Sequence, residues 1–101
     1  MLNERIVIVH ALIDKEYLSE VVKLPDGCML DRFCSFMLPK LKEMYSKGHE
    51  ITEESLKHYL GDEYFFAGDL RSTLKYDPLD AKLALDIVKE NWKQSKLVDM
   101  G

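Results

Sequence analysis

Cysteine, glycine and proline are all scarce in this chain, and long apolar runs and an excess of basic charge are missing altogether. Its 101 residues include two cysteines, five glycines and three prolines. Cys28 and Cys34 cannot staple a small secreted scaffold, and no second Cys or His pair stands at zinc-finger spacing. The longest uncharged apolar stretch covers residues 6–13, far short of the ~20 residues that a bilayer requires. It does not read as a signal peptide either. Glu4 precedes it, His10 interrupts it, and Asp14, Lys15 and Glu16 follow without a small-residue cleavage site. A formal net charge of -4 argues against a surface built chiefly to hold phosphates, so strong direct nucleic-acid binding is not expected. No phosphate loop of the G-x-x-x-x-G-K-[ST] type and no G-x-G-x-x-G is present. What remains is a reduced, cytoplasmic, single-domain chain over residues 1–101 with no membrane association.

What is there fits a folded globule: 47% of residues are hydrophobic and 32% charged. The patterning predicts an all-α fold of about six helices. Residues 3–13 form the first element, whose Ile, Val and Leu content would suit a buried strand as well as a helix. Asp14 stands as an N-cap ahead of Tyr17, Leu18, Val21 and Val22 at helical spacing, so a helical hairpin is expected here. The turn over 24–27 carries Pro25 and Gly27. Over 31–47, Phe33, Met37, Leu41 and Met44 fall on one stripe flanked by Cys34, Leu38 and Tyr45. Pro39 lies on the polar side of that helix, where a kink is easiest to accommodate, and Gly48 ends it. Thr52 caps the next helix, with Ser55 where a capping box favours Glu or Gln. Residues 62–76 read as one short helix with irregular flanks.

Asp77 and Pro78 open the last helix, as N-cap and first helical residue. Leu79, Leu83, Ile87 and Leu97 occupy one arc of it, and Ala84, Leu85, Val88 and Trp92 the adjoining one. A helix at a monomer's surface needs an apolar stripe of only ~100°, and this one is far wider. Such a helix calls for two partners: its own core and a neighbouring subunit or domain. Leu74, Tyr76, Leu79, Leu83, Ile87 and Trp92 are the candidate interface residues, half of which should belong to the monomer's own core.

No catalytic constellation emerges. His10 reads as a packed core residue and His49 and His58 as surface residues. The spacing of Cys28 and Cys34 matches no redox motif. Glu53-Glu54 and Asp62-Glu63 read as carboxylates that suit helix ends or are simply solvated. Tyr64-Phe65-Phe66 is better read as a core or interface cluster than as a base-stacking platform. The chain by itself is therefore not expected to be an enzyme, and no metal or other cofactor is expected.

Glu4 followed by Ile6-Val7-Ile8-Val9-His10-Ala11-Leu12-Ile13-Asp14 resembles the opening of the N-terminal domain of DnaB-type replicative helicases. Leu18 to Val22, Met29-Leu30, Phe36-Met37-Leu38 and Met44-Tyr45-Ser46-Lys47-Gly48 follow in that family's order, as do Ile51-Thr52, Leu56 and Leu60-Gly61. Ile87-Val88-Lys89-Glu90 is similar to the family's Ile-Val-basic-Glu stretch. Val9 stands where the family carries glycine, and Pro39 where it carries no proline, which suggests a divergent, phage-type relative. The resemblance implies a helical globule with a C-terminal helical hairpin that assembles with copies of itself in a ring. It further implies docking of primase, and of a helicase loader in some settings, with ATP hydrolysis in a motor domain absent from this chain. Two other readings are a helix-turn-helix regulator, with residues 67–71 as part of the scanning helix, and a small inhibitor or immunity-type protein acting on a replication or defence partner. The helix after Pro78 is too apolar and acidic for a recognition helix, and the acidic residues are too scattered for an inhibitor's acidic face.

Overall fold

Four consecutive aliphatic residues, Ile6, Val7, Ile8 and Val9, are all buried in helix α1 (Leu2–Ala11). A strand would turn such residues alternately to two faces, whereas a helix spreads them around its whole circumference. A helical stretch buried on every side belongs in the middle of a core, and α1 packs against α2, α3, α5 and, most extensively, α6. The structure is a computed structural model describing residues 2–25 and 27–100, with the backbone alone at 66 and 95–100. Its described residues form six helices and no strands, an all-α architecture. Among them, no helix is long and apolar enough to cross a membrane.

Local chemistry sets most helix boundaries. Helix α2 (Lys15–Val21) starts where Asp14 accepts the Tyr17 N–H at 3.1 Å, and it folds back on α1 as the spacing predicts. Gly27, with φ +86°, supplies the left-handed residue of the following turn, while Asp26 lies outside the described residues. Helix α3 (Arg32–Ser46) buries the predicted stripe of Phe33, Met37, Leu41 and Met44 together with Cys34 and Leu38. The helix runs on through Pro39, which stands on the exposed side.

Helix α4 (Glu53–Leu60) opens with a reciprocal box: Ser55 N–H donates to Thr52 Oγ1 at 3.1 Å and Thr52 N–H donates to Ser55 Oγ at 2.9 Å. Serine fills the position usually taken by Glu or Gln. Helix α5 (Glu63–Thr73) is a regular eleven-residue helix, longer than the short element expected. Helix α6 (Pro78–Met100) begins in a second reciprocal pair, Asp80 N–H to Asp77 Oδ1 at 2.9 Å and Asp77 N–H to Asp80 Oδ2 at 3.1 Å. Residues 74–77 connect α5 directly to α6, whose principal partner is nevertheless α1. The aliphatic run Ile6–Val9 of α1 offers α6 more apolar surface to cover than α5 does, where Ala67 and Leu70 are buried among the described residues.

Candidate interaction surface

The inward arc of α6 consists of Ala81, Ala84, Leu85 and Val88, all buried, with Trp92 partly buried against the same core. The small Ala81 and Ala84 side chains permit close approach of neighbouring backbone. There Tyr17 Oη donates a 2.7 Å hydrogen bond to the Ala81 carbonyl and pins α2 to α6. The opposite arc has no cover. Leu79 is 63% exposed, Leu83 51% and Ile87 41%. At about 100° per residue these three lie within roughly 80° of one another. The six candidate residues therefore divide evenly. Leu74, Tyr76 and Trp92 pack partly against the core, and Leu79, Leu83 and Ile87 face outward. The side chain of Leu97 lies outside the described residues.

Tyr76 also belongs to a polar cluster that joins three elements. Its hydroxyl hydrogen-bonds with His10 Nδ1 at 3.1 Å, while His10 Nε2 lies 3.5 Å from Asp14 Oδ2. The imidazole meets Tyr17 and Tyr76 edge-on, at ring-centroid distances of 4.6 and 5.6 Å. Burial pushes both phenols up, with Tyr76 and Asp86 adding to the effect on Tyr17 and Arg71 opposing it at Tyr76. Phenols held protonated in this way are poor nucleophiles, and the cluster works as a rivet between α1, α2 and the approach to α6. His10 is buried and His49 and His58 are exposed, as the sequence predicts. His49 hydrogen-bonds through Nδ1 with Tyr59 Oη at 2.8 Å.

A second polar cluster shows a role for Glu4 and Arg5 that local sequence reasoning missed. Glu4 is buried and accepts the N–H groups of Leu30 and Asp31, the latter at 3.0 Å. Asp31 in turn accepts the Phe33 and Cys34 N–H groups at 3.0 and 3.2 Å and the Arg5 Nε–H at 2.9 Å. Burial pushes the Asp31 carboxyl up, but the Arg5 bond and the two N–H groups outweigh it and hold the group below the usual carboxylate range. Burial, together with the Asp31 and Glu4 carboxylates, pushes the Cys34 thiol up, so this buried cysteine is a packing residue and not a thiolate. Cys28, in the loop before α3, is buried as well. The whole arrangement fixes the backbone of Leu30, whose side chain is 80% exposed.

Among the described residues, no group of three or more His, Cys, Asp or Glu converges so as to hold a metal ion. No buried side-chain N or O atom among them lacks a hydrogen-bond partner. No protein-family model, curated protein or solved structure matches the chain.

Proposed function

We propose that this chain is a non-catalytic assembly domain of the kind found at the N-terminus of DnaB-type replicative helicases. On this reading it joins copies of itself in a ring and docks primase in the cytoplasm, while a separate motor domain hydrolyses ATP. No cofactor is required of the domain itself. The observation that carries the reading is the uncovered stripe of Leu79, Leu83 and Ile87, set across α6 from the face that the core uses. Exposed large aliphatics aligned on one helix face mark an interaction site more often than isolated ones do. The order of apolar helices, from the buried α1 to a long last helix carrying Ile87-Val88-Lys89-Glu90, adds the family resemblance as support.

The test is light scattering coupled to size-exclusion chromatography over a range of protein concentrations. The parent chain is expected to gain mass as concentration rises. Leu83→Glu or Ile87→Glu should abolish that gain, because burying an uncompensated carboxylate in a contact costs about 2 kcal/mol or more, a factor of ~30 in affinity. Both side chains are exposed in the monomer, so folding stability should shift by no more than ~0.5 kcal/mol. A lowered melting temperature with unchanged assembly mass would overturn the reading, as would a parent chain that stays monomeric throughout.

A further inference from the structure

We propose that two copies of this chain pair through α6 in antiparallel orientation, with Leu83 of each seated between Leu83 and Ile87 of the other and Lys82 of each against Asp86 of the other. The inference rests on the self-association read above and specifies the orientation and register of the contact.

Leu79, Leu83 and Ile87 stand four residues apart and form a single ridge along the uncovered side of α6. Two such ridges pack by interdigitation, each side chain settling between two of its neighbour's. At ~1.5 Å of rise per residue, side chains of one ridge are about 6 Å apart, so interdigitation offsets the partner ridge by about 3 Å. For an antiparallel pair related by a two-fold axis, two registers meet this condition, with the axis at the level of Lys82 or at the level of Ala84. In the second, Leu83 of one copy is level with Leu85 of the other, halfway between Leu83 and Ile87, and Ile87 is halfway between Leu79 and Leu83.

Charge chooses between the two registers. In an antiparallel pair the same flank of each helix meets across the seam, with its direction reversed. Lys82 and Asp86 share one flank and are both exposed. Among the described residues neither forms an ion pair within the chain. With the axis level with Lys82, that ammonium would face its own counterpart. With the axis level with Ala84, Lys82 of each copy is level with Asp86 of the other, and the symmetry makes the pair twice. Such reciprocity sets orientation and partner choice. On the other flank Asp80 is level with Val88 across the seam and about 12 Å along the axis from the second Asp80. Glu90 comes level with Pro78, where the first-turn N–H groups of the partner helix offset the Asp77 and Asp80 carboxylates. Lys93 comes level with Lys75, before the partner helix begins, and Lys89 stands further round. A parallel pair in register would instead set Glu90 against Glu90 within about 20° of the seam and align the two helix dipoles, both unfavourable. The antiparallel contact is isologous and closes at two copies, so a ring needs a further contact on another surface.

The experiment compares the parent chain with Lys82→Asp, Asp86→Lys and the double variant carrying both, by light scattering over a range of concentrations at low salt. Both positions are exposed, and unchanged melting temperatures would show that the variants fold. The parent should approach the mass of two copies. Each single variant sets like charges together twice and should associate about tenfold more weakly, with the loss shrinking as ionic strength rises. The double variant should recover. So should an equimolar mixture of the two single variants, in which a carboxylate meets an ammonium at both places. Single variants that associate like the parent, or a double variant and a mixture that fail to recover, would overturn the register. If Leu83→Glu is monomeric in that case, self-association through α6 stands without this inference. A parent chain that stays monomeric, or a Leu83→Glu variant that pairs like the parent, would overturn both.

Discussion

Replacing Asp31 with asparagine would separate the two tasks of one side chain. The amide oxygen of Asn can still accept from the Phe33 and Cys34 N–H groups, which Asp31 Oδ1 now holds at 3.0 and 3.2 Å. Its NH₂ would face the Arg5 Nε–H, which now donates to Oδ2 at 2.9 Å, so a donor would meet a donor. A hydrogen bond to a charged group contributes about 1.5–3 kcal/mol. Because the Arg5 side chain is 40% exposed, water can take over part of the interaction, and the expected loss is about 1–2 kcal/mol. Asp31→Ala removes the cap as well, adding about 1 kcal/mol.

The pH dependence follows from the lowered carboxyl. As pH falls through the ordinary value of 3.8, the unfolded chain takes up a proton at this position before the folded chain does. The stabilisation is therefore complete above that value and disappears as pH falls through the lowered folded one. Urea denaturation followed by circular dichroism, at neutral pH and at steps into the acid range, measures the difference between parent and Asp31→Asn. The gap should be widest near neutrality and should narrow towards the acid end, where a protonated Asp31 resembles asparagine. A gap that is absent at neutral pH, or the same at every pH, would refute the reasoning.

Tyr17→Phe should cost only about 1 kcal/mol, since the Ala81 carbonyl loses the hydroxyl at 2.7 Å but sits where α6 supplies it a helical partner. Thermal melting checks this, and a loss of several kcal/mol would mean that the carbonyl depends on Tyr17. Thr52→Ala and Ser55→Ala should each lower stability by about 1 kcal/mol, and the double variant should lose less than the sum because each single change already breaks the reciprocal pair. A double-variant cycle in urea measures the coupling, and strict additivity would count against the box.

Features set by short-range chemistry were legible in the sequence. The α3 stripe, the caps at Asp14, Thr52 and Asp77, and the end of α3 at Gly48, with φ +73°, all depend on residues within about one helical turn. Both apolar arcs of α6 were visible as well. Which arc turns inward was not, because α1 decides it, and although a helical hairpin was the expectation for α1 and α2, the sequence did not show that α1 would be the element α6 covers. The bonds from Glu4 and Arg5 to the start of α3 span 26 or 27 residues, a separation at which spacing carries no signal. The exposure of Leu30 has the same origin. In sequence it is another apolar residue before a helix, and only the anchoring of its backbone by Glu4 shows why it points outward.

The pairing of α1 with α6 has a consequence for how the chain is made. Synthesis produces α1 early and its principal partner only after the intervening helices, so Ile6, Val7, Ile8 and Val9 remain partly uncovered on the nascent chain. An aliphatic helix waiting in this state is a target for chaperones and a seed for aggregation. Closing the long loop between the two helices sets an entropic cost that neighbouring hairpins do not face. The completed molecule thus holds its most apolar helix under a clasp that arrives late, and the moment at which α6 leaves the ribosome governs when that helix is finally shielded from solvent.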